Sequence, residues 1–398
     1  MTARTLGVVA LAGVLGWLGL IWLATVLYRT SPPTAGFDLE LLLKAGRDVA
    51  AGRSPYDPSM LAGSAPVAER LFYSYPPLVA QVMALFAAVP SAVMFAAWTV
   101  TAVAGYGIVI GRLASRFARN VPPVAAGLVA VALVPLVFPF AIGLLFGNLD
   151  VFFPMAYGLV LLAVVGPASG AQAGIAGGAA ALAVIGKLQP APLGLWLVVR
   201  APASATVRRV AVAAIAVGVV ALGLSLLVGG VQPWLDYATI VRAGSGADLV
   251  DPRNAGPAAQ IALLMGGGGA ASEALARSLQ IPISIGAIVL AIVAAIRVRE
   301  PVESLAWAVV ASLVILPVTW YHYPAALLPF AVVALLRCGA DPMVGRRVRG
   351  LLVMAAVTAA FAVTWLPLLY VAVGLVLVAI RVSARTAIDL EPVRAIDR

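Results

Sequence analysis

Apolar runs of about 20 residues, the length of one bilayer crossing, recur along almost the whole chain, separated by short connectors that carry arginine. A soluble core needs far fewer. With 63% hydrophobic and only 11% charged residues, the sequence reads as a polytopic membrane protein rather than a soluble globule. Its spans must be helices, because backbone groups in hydrocarbon have to be satisfied within the segment or by a closed barrel. The first run, Leu6 to Leu27, is too long for a cleavable signal peptide. Its exit, Tyr28-Arg-Thr-Ser-Pro-Pro, is also a poor cleavage site, so it reads as a retained helix.

A net charge of +10 in a soluble protein suggests nucleic acid, but here the arginines sit between apolar runs, which is the positive-inside pattern. No nucleic-acid partner is expected. Facing Arg112/Arg116/Arg119, Arg200/Arg208/Arg209, Arg297/Arg299, Arg337/Arg346/Arg347/Arg349 and Arg381/Arg385 to the cytoplasm fixes the threading. It predicts helices near 6–28, 93–111, 121–145, 151–166, 172–186, 188–199, 207–229, 281–297, 303–320, 323–337, 350–365 and 367–381. That is an all-α single integral membrane domain over 1–398, of about twelve crossings, with both termini inside. Segment 76–90 is apolar, yet a full crossing there reverses the arginines; it is expected as an interfacial or re-entrant helix on the outer side. Residues 382–398 form a cytoplasmic tail.

Once threaded, the unusual polar residues collect on one face. The first outer loop, 29–75, is long for a compact architecture and carries Asp38, Glu40, Asp48, Tyr56, Asp57 and Tyr75. A second large outer loop, 230–280, carries Asp236, Asp251, Arg253, Asn254 and Gln260. Phe146-Gly-Asn-Leu-Asp150, Gly186-Lys-Leu-Gln-Pro190 and Trp320-Tyr-His-Tyr-Pro324 reach the same side. A transporter scatters polar groups through helix centres along a path; this distribution describes a site on one face.

Each residue admits a plainer reading. Asp38 suits a helix N-terminus as well as it suits a catalytic base. Glu40 and Asp48, at helical spacing from Lys44 and Arg47, suit surface pairing. Lys187, one of only two lysines, either snorkels to the interface or supplies a point charge for phosphate, with Gln189 and Pro190 opening the helix end there. His322 is the only histidine; Tyr321 and Tyr323 beside it suit an aromatic belt, while the ring suits a phosphate donor or proton carrier. Arg253 with Asn254 suits a sugar or phosphate, or a solvated loop. Asn148 and Asp150 form a turn or, if buried, polar sugar contacts. One cysteine, Cys338, excludes an internal disulfide. With no CxxC, HExxH or GxxxxGK[ST], nothing points to a metal centre or a nucleotide loop, so no cofactor is expected.

The ordered blocks Asp38-Leu-Glu with Ala51-Gly-Arg-Ser-Pro-Tyr56, Tyr75-Pro-Pro-Leu78 with Val89-Pro90, Gly147-Asn148, Lys187-Leu-Gln-Pro190, Asn254 and Tyr321-His-Tyr-Pro324 resemble membrane glycosyltransferases that use polyprenyl-phosphate sugars. The chain is most similar to actinobacterial glycosyltransferase family 87, with its PimE-type phosphatidylinositol mannoside mannosyltransferases. The resemblance implies a GT-C bundle in the plasma membrane whose first extracytoplasmic loop carries the catalytic acid. Asp38 is then the general base for inverting, α-1,2 transfer of mannose from polyprenyl-phosphate mannose to a glycolipid or lipoglycan, without metal or nucleotide. Lys187 and His322 bind the donor phosphate; Tyr56, Tyr75, Asn148, Gln189, Arg253, Asn254, Tyr321 and Tyr323 line the substrate. An arabinofuranosyltransferase of the same architecture, a lipid transporter and a membrane scaffold are the other readings. The scaffold leaves Lys187 and the Tyr75-Pro-Pro segment without a role.

Overall fold

The computed structural model describes residues 3–30, 34–61, 72–118, 121–166, 168–244, 249–338 and 341–394, and every regular element among them is helical. Arg119 falls outside that set, as does most of the segment between Tyr56 and Tyr75. In chain order the α-helices begin α1 (Ala3–Tyr28), α2 (Phe37–Ala50), α3 (Pro58–Leu61), α4 (Pro77–Ala84), α5 (Ser91–Phe117) and α6 (Pro123–Leu133). Next come α7 (Phe138–Phe146), α8 (Phe153–Val164), α9 (Gly170–Gly186), α10 (Ala191–Arg200), α11 (Ala205–Gly229) and α12 (Gln232–Gly244). The last six are α13 (Pro257–Gly266), α14 (Gly269–Arg297), α15 (Pro301–Val314), α16 (Leu328–Arg337), α17 (Pro342–Phe361) and α18 (Leu368–Arg394).

Among the described residues α1, α5, α11 and α14 are long and apolar enough to cross a membrane; α6 and α7 make a fifth if taken as one broken span. Most other spans expected from the sequence are apolar helices of only 10–17 residues. The span read as one helix over 121–145 is instead bent by 77° between α6 and α7. Pro135 and Pro139 flank the bend, and each lacks the N–H that a continuing helix needs. The helix expected over 303–320 stops at Val314, so 315–322 is free to run irregularly past the site. Segment 230–280, read as loop, holds α12, α13 and the first turns of α14.

α5 is the central strut. Its buried face runs from Trp98 through Ala102, Tyr106 and Ile110 to Ala114. It meets α6 backbone to backbone, because a Cβ on Gly127 would fall 2.6 Å from the Gly107 carbonyl oxygen. At its far end the basic groups converge. Arg337, at the end of α16, lies 5.0 Å over the Phe117 ring and 2.8 Å from Glu300, the N-cap of α15. Arg200 donates to the terminal carbonyls of Ala295 and Val298 at the end of α14, where cations are favoured by the helix dipole. The ends of α5, α10, α14 and α16 therefore gather at one arginine-bearing end of the bundle.

α4, over the segment expected at 76–90, has eight residues. At 1.5 Å per residue it is about 12 Å long, well short of a hydrocarbon core of ~30 Å. It packs under α2, whose apolar face (Leu39, Leu42, Leu43, Ala45) is buried while its outer face pairs Lys44 and Arg53 with Asp48, and Arg47 with Glu40. These exposed pairs contribute little, about 0–1 kcal/mol each; the buried face is what holds α2 down.

Candidate active site

Two glycines fix where Asp38 sits. Gly36 caps α2 with φ +74°, which an L side chain rarely adopts, and its N–H donates to the Leu145 carbonyl at 2.8 Å. Gly147 ends α7 with φ +69°, and a Cβ there would fall 2.7 Å from the Leu39 Cβ. Phe37 and Phe146 close the same contact with ring centroids 4.8 Å apart. The first turn of α2 is thus clamped to the C-terminus of α7, which puts Asp38 beside Asn148. Gly147→Ala should destabilise the chain by about 2–4 kcal/mol, the sum of positive-φ strain and overpacking. Thermal melts of the purified protein check this, and an unchanged midpoint would refute the clamp.

Asn148 is the bridge. Its Nδ2 donates to Asp38 Oδ2 at 2.6 Å, and its Oδ1 accepts the Asp150 N–H at 2.9 Å as the cap of a short 3-10 helix, Leu149–Phe152. The Asn148 carbonyl accepts Trp98 Nε1–H of α5 at 3.3 Å. Asp150, 2% exposed, then receives Lys187 Nζ on Oδ1 at 2.7 Å and faces His322 Nε2 from Oδ2 at 3.4 Å. Lys187 is placed by the end of α9: it is the extended C-cap residue, and the turn Leu188–Pro190 leads into α10. Its ammonium lies 4.3 Å from the Tyr323 ring centroid and 5.8 Å from that of Tyr75. Asp38, Asn148, Asp150, Lys187 and His322 form one chain of polar contacts walled by two tyrosines.

Asp38 is half-buried at the mouth of α2. Burial pushes its carboxyl above the usual carboxylate range, against the opposing pull of His322, Asn148 and Lys187. A carboxylate so raised, with one oxygen oriented by Asn148, can take a proton from a hydroxyl presented to the other. The Lys187 ammonium is the charge nearby that can meet an anion.

The other expected residues divide. Tyr56, 2% exposed, donates its hydroxyl to the Tyr75 carbonyl at 3.0 Å and packs on Tyr73 and Tyr237, so it braces Tyr75. Gln189 is fully buried, and neither amide atom finds a hydrogen-bond partner among the described residues. Both His322 ring nitrogens are in the same condition. Asn254, expected to touch substrate, has its side-chain amide bonded to backbone groups. Its Nδ2 donates to Leu249 O and Pro317 O and its Oδ1 accepts from Gly256 and Thr319 N–H. The amide is fully engaged in tying residues 249–256 to 317–319. Arg253 pairs with Asp251 at 2.6 Å in that neighbouring group, and Tyr321 packs there against Ala255, Leu366 and Leu369. The run from Thr319 to His322 joins this group to the Asp38 network.

The model of glycosyltransferase family 87 matches residues 73–319, more than half of the chain. The chain belongs to glycosyltransferase family 87. It is therefore a glycosyltransferase with a sugar donor and an acceptor, and its apolar helices suit a bilayer. No curated protein and no solved structure matches it. The part that matches family 87 contains Tyr75, Asn148, Asp150, Lys187 and Gln189, whereas Asp38 lies well before it and His322 just after it. Both outside residues join the matched part through the Asn148–Asp150 pair. Asp150 was expected as a turn residue or sugar contact, not as the common counter-ion of Lys187 and His322, and Trp98 behind Asn148 was not singled out at all.

Proposed function

We propose that this family 87 enzyme transfers a sugar, with mannose the first candidate, from a polyprenyl-phosphate donor to a hydroxyl of a membrane glycolipid such as a phosphatidylinositol mannoside. Asp38 takes the hydroxyl proton while the acceptor oxygen attacks the anomeric carbon. The bond from that carbon to the phosphate oxygen breaks on the opposite face, so the product is inverted and the electron pair leaves with the lipid phosphate. Lys187, and His322 through a ring N–H, meet the charge that grows there. The observation that carries this reading is the single line of contacts from a base-competent Asp38 to the partly buried Lys187 ammonium.

The membrane setting supports a lipid donor on the extracytoplasmic face. Phe117, at the arginine-bearing end, lies about 28 Å along α5 from Trp98, at 1.5 Å per residue, which is close to one hydrocarbon thickness of ~30 Å. Placing the arginines and both chain termini in the cytoplasm sets Asp38 and Lys187 near the outer surface of the plasma membrane, away from cytosolic nucleotide sugars.

The test is transfer of labelled sugar in membranes supplied with polyprenyl-phosphate mannose, polyprenyl-phosphate arabinose or a nucleotide sugar. Lipid-linked mannose is the expected donor. Transfer from arabinose alone keeps the mechanism and changes the sugar, and transfer from the nucleotide sugar alone refutes the reading. The base must be ionised to act, so kcat/KM should rise with pH on an acid limb above the usual carboxylate range, as Asp38 is raised. A rate flat down to pH 4 would rule Asp38 out as the base.

A further inference from the structure

The two partners of the buried ion pair differ in access. The Lys187 side chain is 13% exposed and that of Asp150 is 2%. An approaching anion therefore meets Lys187 first, with Asp150 behind it. Asp150 is also the less mobile partner, because its backbone N–H is held by Asn148 Oδ1 at the start of a 3-10 turn, whereas the Lys187 ammonium ends a flexible four-carbon stem. The same carboxylate faces His322 with an oxygen that has no aligned hydrogen bond among the described residues. One fixed negative charge thus competes with any bound phosphate for both groups that can neutralise it.

Resting on the function proposed above, we infer that Asp150 is a positioning residue that limits the affinity of the site for the departing lipid phosphate. It holds Lys187 and His322 in register for the phosphodiester. During transfer the anomeric carbon–oxygen bond breaks and the phosphate gains a second negative charge, so its hold on Lys187 is strongest in the product. A permanent counter-ion 2.7 Å from that ammonium reclaims it and lets polyprenyl phosphate leave. Removing the carboxylate should therefore tighten product binding and slow turnover together. A residue that merely supports the fold would tighten nothing.

The experiment uses the full chain in nanodiscs and synthetic polyprenyl monophosphate as the probe. Asp150→Asn should bind the probe at least 10-fold more tightly than wild type, with donor KM lowered and kcat reduced at least 100-fold. Its melting point should be low without the probe and recover on adding it, by a larger shift than in wild type, because the phosphate replaces the missing counter-charge. In Asp150→Asn/Lys187→Met, where no buried charge is left unpaired, the tightening should vanish. Unchanged or weaker binding in Asp150→Asn overturns the inference. So does tightening that persists in the double variant, or a single variant that neither folds nor is rescued by the probe. If wild type transfers neither lipid-linked sugar, the proposed function fails, and the binding arm still decides the role of Asp150; a wild type that does not bind the probe overturns both.

Discussion

Asp38→Asn should lower sugar transfer about 10³-fold, within the range a positioned general base contributes, and leave the protein folded. The substitution is nearly isosteric, and the amide oxygen can still accept the Asn148 N–H that now reaches Asp38 Oδ2 at 2.6 Å. Burial raises the Asp38 carboxyl, so the folded state holds the charged form at a cost. At neutral pH the neutral amide escapes that cost, and the variant should melt no lower than wild type. Loss of turnover without loss of stability separates a catalytic carboxylate from a helix cap, whose removal costs about 1 kcal/mol and no chemistry. Single-turnover rates with melts on the same preparations check it. Turnover within a few-fold of wild type would remove Asp38 from the reaction.

Lys187→Ala should have the second-largest effect, on stability and on donor use at once. It leaves Asp150 buried without its cation, and removing one partner of such a pair costs about 3–5 kcal/mol. Survivors should show a raised donor KM and a reduced kcat, with acceptor KM little changed, since the proposed role of the lost charge is on the donor phosphate. Lys187→Arg keeps the charge but not the compact ammonium between the Tyr323 and Tyr75 rings, and should restore stability more than rate. Equal losses for donor and acceptor would make Lys187 a structural cation only.

Much of this arrangement is legible in the sequence because hydrocarbon leaves so few options. Apolar runs had to be helices, and arginine placement gave the bundle a distinct end. The run over 121–145 looked continuous by hydropathy; only Pro135 and Pro139 signalled the 77° bend, and the break brings Gly147 and Asn148 round to α2. Segment 230–280 read as loop because its helices α12 and α13 are punctuated by glycine and polar residues rather than marked by one long apolar run. Asp38, Asn148 and Lys187 were visible as polar residues at helix ends. Their bridge through Asp150 was not, since contacts across 110 and 37 residues leave no local trace. One clue was available: a carboxylate beside an apolar run needs a cation, and Lys187 is one of two lysines in the chain. The bracing role of Asn254 was not legible either, because a polar loop residue that ties backbone groups together looks, in sequence, like one that greets a ligand.

The most direct test of the proposed chemistry is the anomeric configuration of the sugar transferred by purified chain in nanodiscs from a β-linked polyprenyl-phosphate donor. An α-linked product, one for each polyprenyl phosphate released and absent with Asp38→Asn, is expected from one in-line displacement assisted by a single base. A β-linked product would contradict a single in-line displacement by the acceptor oxygen, and transfer that survives Asp38→Asn undiminished would mean that Asp38 is not the base.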